Sequence, residues 1–436
     1  MTYQQTLDYL YGQRPSYERQ GAGGYKPGLQ TSRDLDALYG HPHRQYRSVH
    51  IAGTNGKGSV STMLAAVLQS AGYRVGLFTS PHFVDFRERI RVNGRMIPRQ
   101  EVVRFVDDFM RRGYAGDPSF FELTSTMAFR YFADCKVDFA MIETGLGGRL
   151  DSTNIITPIL SVITNISLDH TEFLGDTLPE IAREKAGIIK AGVPVVVGEA
   201  QGEVRQVFEQ KAKEEGAPIV FSDELNPIAA SIHADSCQIV TTRSGATLAC
   251  ALTADYQLAN IATVLTAIDQ LVAQGVAVPP EAVRAGLAQV CQLTGFMGRW
   301  TTLQTHPRVV CDSGHNLAGI KWVTTQLAHE RYERLHMVVG FMRDKDLKRI
   351  LPLLPQEATY YFTQACTPRA LPAGELRRMA AACGLQGECY ASVNEALAAA
   401  QQAARPEADL IFVGGSMYVL AELFSTFQEN RHEEEL

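Results

Sequence analysis

The chain has 436 residues, 45% hydrophobic and 20% charged, which is enough for two or three globular domains. It has no run of about 18 apolar residues and no apolar signal core at the N-terminus, so we expect a cytoplasmic protein without a membrane span. The net charge of −6 argues against general nucleic-acid binding, and eight scattered cysteines without a CxxC pair argue against a zinc or disulfide framework.

The first part of the chain alternates short β-branched runs with helical patterns. The runs are 48–53, 75–80, 137–144, 159–166 and 193–199. Between the first two, apolar residues at i, i+3, i+4 and i+7 predict an amphipathic helix over 60–71, ended by Gly72. This alternation predicts an N-terminal doubly wound, mostly parallel α/β sheet.

Segment 200–255 is predicted to hold mixed strands and turns, with a helix following near 257–274. A second series of runs then predicts a smaller C-terminal α/β domain with its own sheet; these runs are 308–314, 335–341, 359–364 and 409–415. The stretch "LTGFMGRW" at 293–300 carries two glycines and no regular period, so it is predicted to be a hinge. The expected domains are therefore 1–295 and 299–436.

Polar residues that could bind a ligand or take part in catalysis follow the apolar runs of both series. Because ligands of open α/β sheets bind beyond the carboxyl ends of the strands, each series should gather its motifs at one edge of its sheet. A cleft between the two domains would then bring both edges together.

The stretch "GTNGKGS" follows a predicted strand, precedes a predicted helix and is a candidate phosphate loop for ATP. Its residues are Gly53, Thr54, Asn55, Gly56, Lys57, Gly58 and Ser59. Small residues let backbone N–H groups approach phosphate oxygens, and a helix N-terminus adds positive potential. Lys57 would reach the β- and γ-phosphates, and Ser59 would bind Mg²⁺.

The spacing of this loop departs from GxxxxGK[ST]. Ile51 stands where the first glycine belongs, and Gly58 separates Lys57 from Ser59. The alternative is a glycine-rich turn without a ligand. Glu143 ends another strand-like run, where a Mg²⁺ ligand or a water-positioning acid belongs, although a glutamate facing solvent is the alternative there.

Six stretches, taken in order, carry a family resemblance. They are "HIAGTNGKGSVST", "FTSPHFVDFRERI", "IETGLGGRLDSTN", "SLDHTEFLGDTLPEIAREKAGIIK", "DSGHN" and "FVGGSMY". They resemble the folylpolyglutamate synthase/dihydrofolate synthase family, a branch of the ATP-dependent Mur-type amide ligases. The resemblance implies that a substrate carboxylate attacks the γ-phosphate of ATP and that glutamate then displaces phosphate from the acyl phosphate. Since two anions meet in the first step, cations and metals are required.

The resemblance implies the catalytic residues Lys57, Glu143, His170 and Lys185. It implies one Mg²⁺ near Ser59, Ser80 and Glu143, a second Mg²⁺ near His170 and Lys185, and a monovalent cation. Because a plain ammonium would repel Mg²⁺, Lys185 is expected to be carbamylated, as the matching lysine is in the family. Without the resemblance, Lys185 would be interpreted as an exposed helical lysine and His170 as an ordinary turn histidine.

Further binding residues follow from the same resemblance. Besides the loop, the ATP-binding set is Asn260, Arg299 and Asp312; the glutamate-binding set is His315 and Ser416; the pterin-binding set is His82, Phe83 and Arg87. Tyr256 stands where the family usually has histidine, and Ser313-Gly314 replaces the commoner Gly-Ala. The stretch 340–346 matches a family motif whose role is either structural or a contact.

The function implied by the resemblance is ATP-dependent ligation of L-glutamate to dihydropteroate, to folates, or to both, within folate biosynthesis and one-carbon metabolism. A monomer with small-molecule partners, and no nucleic-acid or membrane partner, is expected. One alternative is a Mur-type ligase acting on a cell-wall precursor; it would add an N-terminal domain for the UDP group, whereas 47 residues precede the first run. The other alternative is a non-catalytic ATP-binding module. A chain with other residues in place of Lys57, Glu143 or His170 would favour it, but all three are present.

Overall fold

The computed structural model describes residues 1–12, 14, 28–234 and 237–434. The chain divides into two compact units: Met1–His82, Phe86–Thr253 and Gln257–Phe296 form the first, and Phe83–Asp85, Ala254–Tyr256 and Met297–Leu436 form the second. The main boundary between the two units lies between Phe296 and Met297, within the segment expected to be a hinge. The two short segments that join the second unit were not expected from the sequence. Within the described ranges, no helix is both long and apolar enough to span a bilayer.

Eight strands of the described residues form the main sheet of the first unit. They are β1 (Arg47–Ala52), β2 (Val75–Phe78), β3 (Ile90–Val92), β4 (Arg95–Met96), β5 (Phe139–Glu143), β6 (Leu160–Ile163), β7 (Val195–Val197) and β8 (Ile219–Phe221). Their order is β4-β3-β2-β5-β1-β6-β7-β8. The six strands from β2 to β8 along this order are parallel, whereas β3 and β4 are antiparallel additions at one edge.

A small antiparallel sheet completes the strands of the first unit. It has the order β11-β10-β9 and consists of β9 (Ile228–Ala234), β10 (Cys237–Thr242) and β11 (Thr247–Cys250). The helices of this unit are α1 (Tyr3–Gly12), α2 (Gln30–Leu38), α3 (Lys57–Ser70), α4 (Arg99–Arg112), α5 (Phe120–Asp134), α6 (Thr171–Leu174), α7 (Leu178–Ala186), α8 (Gly202–Glu215), α9 (Ser222–Leu225), α10 (Gln257–Ala273), α11 (Pro280–Ala288) and α12 (Val290–Thr294). Short 3₁₀ turns lie at Pro42–Gln45 and Phe86–Arg89.

The main sheet is covered on both faces, which explains its nearly continuous apolar strands. Val49 and Ile51 of β1 belong to one hydrophobic cluster together with α3 and α10. Ala52 belongs to a different cluster, shared with α7 and α8. This arrangement confirms the predicted doubly wound sheet. Helix α3 begins three residues before the predicted start, and Gly72 just beyond it has a φ of 91°.

The prediction for segment 200–255 is wrong in its first part, because α8 occupies Gly202–Glu215. The helix buries only a narrow stripe, consisting of Val204, Phe208 and Ala212. Its other positions are mostly charged or polar, so the apolar period is too weak to identify it from the sequence. Strands and turns do make up 228–234 and 237–250.

Six strands of the described residues form the sheet of the second unit. They are β12 (Thr301–Thr305), β13 (Arg308–Asp312), β14 (Leu335–Val339), β15 (Thr359–Phe362), β16 (Gly387–Cys389) and β17 (Leu410–Gly414), in the order β12-β13-β17-β14-β15-β16. Only β12 is antiparallel to its neighbour. The helices are α13 (Leu317–His329), α14 (Leu347–Ile350), α15 (Ala373–Ala381), α16 (Val393–Ala403) and α17 (Met417–Glu434), with a 3₁₀ turn at Leu351–Leu353. The predicted separate C-terminal α/β sheet is thereby confirmed.

Helix α5 allows a test of local stability, because a buried capping box begins it. The Ser119 hydroxyl accepts a hydrogen bond from the Glu122 N–H at 3.2 Å, and the Glu122 carboxylate accepts one from the Ser119 N–H at 2.7 Å. We expect Ser119→Ala to lower the free energy of unfolding by about 1–2 kcal/mol, since a buried N–H loses its acceptor. Urea denaturation measures this change. The control is Ser392→Ala at the partly exposed start of α16, where water can replace the hydroxyl; an equal loss there would contradict the role of burial.

Candidate active site

The loop between β1 and α3 is held by hydrogen bonds to residues 164–167, which follow the neighbouring strand β6. The Thr54 N–H donates to the Asn165 carbonyl at 2.9 Å, and the Asn55 N–H donates to the Asn165 side-chain oxygen at 3.1 Å. In return, the Thr164 hydroxyl donates to the Asn55 carbonyl at 2.6 Å. The loop therefore has a fixed shape, set by two adjacent parallel strands.

These bonds decide which parts of the loop can receive an anion. The amides of Thr54 and Asn55 are already used, so they face residues of the chain and not a ligand. The first N–H groups of a helix have no carbonyl partner within the helix. Within the 53–59 loop, the candidate amides for a phosphate are therefore those of the first turn of α3, at Lys57, Gly58 and Ser59.

Two glycines of the loop are required by close approach as well as by backbone conformation. Gly53 has a φ of 147°, and a Cβ there would lie 1.8 Å from the Thr164 hydroxyl oxygen. Gly56 has a φ of 85°, and a Cβ there would lie 2.2 Å from the Asn260 side-chain oxygen. Neither position accepts a larger residue without movement of the neighbour.

Two lysines converge on one carbonyl of the loop. Lys57 Nζ donates to the carbonyls of Gly53 and Thr54, each at 3.2 Å, and Lys185 Nζ donates to the same Gly53 carbonyl at 2.8 Å. Burial, reinforced by the positive charge of Lys57, lowers the pKa of Lys185 to about 7; nearby carboxylates of Asp169 and others oppose this shift. Lys185 is thus a buried amine that is substantially neutral near physiological pH.

Lys185 reaches this position because of the helix that carries it. Helix α7 is preceded by Thr177, whose hydroxyl accepts from the Glu180 N–H in a capping box, and Pro179 lies in its first turn. The predicted helix is therefore present, but the interpretation of Lys185 as an exposed lysine is wrong, because only 4% of its surface is exposed.

Glu143 ends β5, which lies next to β1 in the sheet. Its carboxylate accepts a hydrogen bond from the Ser80 N–H at 3.2 Å. A Cβ on Gly58 would lie 3.8 Å from the same carboxylate, so Glu143 faces the first turn of α3. Ser80, Glu143 and the start of α3 thus meet at one edge of the sheet, and their carboxylate and hydroxyl oxygens are the donors that Mg²⁺ prefers.

The glycine-rich stretch after Glu143 is ordered by Asp151. One carboxylate oxygen of Asp151 accepts from the N–H groups of Gly145 and Leu146, both at 2.8 Å. The other accepts from the Thr153 N–H at 3.0 Å and from the Thr153 hydroxyl. His50 of β1 shares the Thr153 hydroxyl at 2.9 Å. Asp151 was not selected from the sequence, because the hydrogen bonds that it accepts form only when the glycine-rich stretch has folded.

Asn260 lies on α10, and its Oδ1 faces Gly56. Its Nδ2 donates to Gln257 Oε1 at 2.8 Å, and Gln257 Nε2 donates to the Ser59 hydroxyl at 3.2 Å. The two residues are three apart and therefore share one face of the helix. Gln257 was not selected from the sequence, although a polar i, i+3 pair at the start of a largely apolar helix could have indicated it.

His170 lies between β6 and α6 with a φ of 50°, close to Asp169. The two side chains approach to 4.0 Å, and the His170 N–H donates to the Asp169 carboxylate at 3.0 Å. Both belong to the segment that follows β6, as the phosphate-loop anchors do. Among the described residues, no group of three or more His, Cys, Asp or Glu side chains is arranged to hold a metal.

The three residues expected at the pterin each have contacts within the chain. His82 bonds to the Tyr11 hydroxyl at 3.1 Å and to Arg89 Nε at 2.8 Å. Arg87 lies over the ring of Tyr3, with 6.0 Å from the guanidinium to the ring centroid. Phe83 belongs to the second unit, where its ring packs edge-on against Phe424 at 5.0 Å. Each side chain therefore has a packing or hydrogen-bonding role of its own.

In the second unit, Asp312 ends β13 and is buried. One oxygen accepts from the Tyr256 hydroxyl at 2.6 Å and from the Trp300 N–H at 2.8 Å, and the other accepts from the Gly314 N–H at 2.7 Å. Desolvation raises the pKa of Tyr256 well above its usual value, so the phenol stays a donor. Arg299 donates to the Gly298 carbonyl at 3.0 Å and to the Ser313 hydroxyl.

The expected glutamate-binding residues follow two neighbouring strands of this sheet. His315 lies after β13, and its Nδ1 is 2.9 Å from the Ser313 carbonyl. Ser416 follows β17, and its hydroxyl accepts from the Val419 N–H at 3.1 Å at the start of α17. Within 340–346, Asp344 pairs with Arg369 at 3.3 Å and with Lys345 at 3.7 Å.

Two family models match the chain. The Mur ligase middle domain matches residues 51–268, and the Mur ligase glutamate ligase domain matches residues 298–417. A dihydrofolate synthase/folylpolyglutamate synthase from Bacillus subtilis is 37% identical over 371 residues, which cover 81% of this chain and 84% of the relative. The chain belongs to the folylpolyglutamate synthase/dihydrofolate synthase family. Its members are ATP-dependent ligases, and the chain is one of them.

Solved structures agree with this family membership. FolC from Escherichia coli in complex with DHPP and ADP superposes with a TM-score of 0.84 at 29% identity, covering 99% of each chain. A bifunctional folylpolyglutamate synthase/dihydrofolate synthase with Mn, AMPPNP and L-glutamate bound gives a TM-score of 0.81 at 28% identity, covering 98% of each chain. The family fold therefore extends over both units of this chain.

The contact between Gly56 and Asn260 predicts a selective loss of nucleotide binding in this family member. We expect Gly56→Ala to weaken ADP binding at least tenfold, because its Cβ would displace the Asn260 amide and distort the start of α3. Equilibrium titration with ADP measures the effect. The matched control is Gly72→Ala, which also has a positive φ but has no atom within 4 Å of its Cβ. Equal ADP affinity in the two variants would contradict the assigned loop.

Proposed function

We propose that the protein joins L-glutamate to dihydropteroate and to folates that already carry glutamate, at the expense of ATP. The names of its relatives support both substrates, since the Bacillus subtilis protein is a dihydrofolate synthase/folylpolyglutamate synthase. The ligands DHPP, ADP and L-glutamate in the related structures support the same substrate classes. Residues 1–295 would carry the ATPase function and 299–436 the glutamate-ligase function; the matches at 51–268 and 298–417 support this division.

The observation that carries the proposal is the convergence of Lys57 and Lys185 on the Gly53 carbonyl, beside the first turn of α3. In a chain with a net charge of −6, the basic side chain of Lys57 and a helix N-terminus lie together at this point, beside a Lys185 amine that is largely neutral. Such an arrangement suits a polyphosphate. Lys57 is proposed to leave the loop carbonyls and to bind the phosphate that is transferred.

The proposed reaction has two steps. A carboxylate oxygen of the pteroate or folate attacks the γ-phosphorus of ATP, the bond to the bridging oxygen breaks, and ADP leaves. The α-amine of glutamate then attacks the acyl carbon, loses a proton, and inorganic phosphate leaves as the amide forms. The chain assists the first step by holding two anions together with fixed positive groups. We assign ATP binding to the 53–59 loop with Asn260, Arg299 and Asp312, glutamate binding to His315 and Ser416, and pterin binding to the segment 82–87.

We assign a divalent cation to Ser59, Ser80 and Glu143. The hard oxygen donors of this set fit Mg²⁺, and manganese in a related structure supports a divalent metal. When bound, Mg²⁺ neutralises phosphate oxygens that would otherwise repel the attacking carboxylate. A second Mg²⁺ at His170 and Lys185, and a monovalent cation, are further parts of the proposal. Lys185 fits the second metal only after modification, because its amine donates to a carbonyl.

The deciding experiment measures ADP release with and without each substrate. We expect release only when ATP, L-glutamate and either dihydropteroate or a monoglutamyl folate are all present. We expect Lys57→Ala to retain under a tenth of wild-type turnover with an unchanged melting temperature, because the side chain contacts loop carbonyls and not the core. Turnover with a nucleotide-linked peptide precursor, and none with pteroates, would instead support a cell-wall ligase. ATP binding without any turnover would support a binding module.

The carbamate of Lys185 is tested separately. A neutral amine reacts with CO₂ to give a carbamate and a proton, and a pKa of about 7 makes the neutral form abundant above that pH. We expect Lys185→Ala to lose activity and to regain part of it with acetate. Lys185→Arg should not regain activity, because arginine stays charged and fills the space. A ¹³C-carbonate NMR signal should be present in the wild type and absent from both variants; full activity without that signal would contradict the carbamate.

A further inference from the structure

Gln257 is a buried polar residue that the reaction described above does not use. It is the first residue of α10, and none of its surface is exposed. Both ends of its amide are hydrogen bonded: Nε2 donates to the Ser59 hydroxyl at 3.2 Å, and Oε1 accepts from Asn260 Nδ2 at 2.8 Å. A buried amide with both partners in place is a well-determined element, since it has one low-energy orientation.

The orientation of this amide follows from its two partners. Asn260 presents an N–H donor, so only the oxygen of Gln257 can face it. The NH₂ group must then face Ser59 Oγ, which accepts the hydrogen bond. One lone pair of the serine oxygen is thereby occupied, and its proton must point away from Gln257. The proton and the remaining lone pair of Ser59 are thereby restricted to the two other positions around the oxygen, a restriction that the serine alone would not have.

We propose that Gln257 is a positioning residue that orients the Ser59 hydroxyl for a divalent cation and connects it to Asn260. This inference rests on the proposed function, because it takes Ser59 as a metal ligand. The chain of contacts runs from Ser59 through Gln257 to Asn260, and ends where Asn260 Oδ1 meets Gly56. The first turn of α3 and the glycine before it are thus held by the same helix, α10.

A purely structural role would give a different result from a positioning role. If Gln257 only filled space and satisfied Asn260, its loss would change ADP affinity equally with and without Mg²⁺. If it orients Ser59, its loss should mainly weaken the additional affinity that Mg²⁺ gives to ADP. The ratio of the ADP dissociation constants in EDTA and in excess Mg²⁺ separates these two roles, and it requires no turnover.

The experiment is a double-mutant cycle on Gln257 and Ser59, measured by calorimetric titration with ADP. We expect Gln257→Met to reduce the Mg²⁺ ratio by about threefold to tenfold, the range for loss of one hydrogen bond. Ser59→Ala should reduce the ratio at least as much. In the double variant, Gln257→Met should add nothing to Ser59→Ala, because the donor acts through the hydroxyl.

Two further variants complete the design. Gln257→Leu also removes the donor to Ser59 and adds no charge near the cation, so it should reduce the Mg²⁺ ratio like Gln257→Met, and it replaces that variant if methionine prevents folding. The control is Gln238→Met in β10. Gln238 is equally buried, and neither of its amide atoms has a hydrogen-bond partner among the described residues. Its replacement should leave the ratio unchanged.

The outcomes distinguish a failure of this inference from a failure of the proposed function on which it rests. If the reductions of the Mg²⁺ ratio by Gln257→Met and by Ser59→Ala multiply in the double variant, the two residues act independently, and the positioning role is overturned. An equal loss of ADP affinity in EDTA and in Mg²⁺ would overturn it as well. In both cases, ADP binding by the wild type would leave the proposed function standing. Failure of the wild type to bind ADP at all would overturn both.

Discussion

The hydrogen bonds between residues 54–55 and residues 164–167 are the constraint on which the candidate site depends. They join the loops after two adjacent parallel strands, so the shape of the phosphate loop is set by the register of β1 and β6. Gly53 must be glycine because Thr164 occupies the space of its side chain. The Gly53 carbonyl is thereby exposed to both lysines. A change in this one contact would move the acceptor that Lys57 and Lys185 share.

The site also shows how charge is distributed in an acidic protein. Burial disfavours the charged form of Lys185 and so lowers its pKa, and the positive charge of Lys57 adds to this effect. Carboxylates on neighbouring loops, including Asp151 and Asp169, offset part of the repulsion. The balance leaves the pKa of Lys185 at about 7. A buried lysine can therefore perform chemistry that a permanently charged ammonium cannot, because its environment lowers its pKa.

The sequence predicted those parts of the structure that local patterns encode. The parallel strands, helix α3 and the loop between β1 and α3 follow from apolar runs and from glycines at a strand end. Helix α8 was missed because its apolar stripe has only three buried residues. Gln257 was missed for another reason, since its partner Ser59 lies far from it in sequence and is brought close by folding. The resemblance assigns Phe83 to the pterin together with His82 and Arg87, and that assignment stays a prediction.

The contact between Tyr256 and Asp312 affects how the second unit responds to pH. The family resemblance leads us to expect histidine at position 256, and an imidazole changes its charge near neutral pH. The phenol found here keeps its proton, because desolvation and the neighbouring carboxylate both disfavour the phenolate. Asp312 is therefore held by a donor whose ionisation does not vary between mildly acidic and mildly alkaline conditions. The tyrosine keeps the same hydrogen bond to Asp312 on mild acidification, at the cost of a control that a histidine would provide.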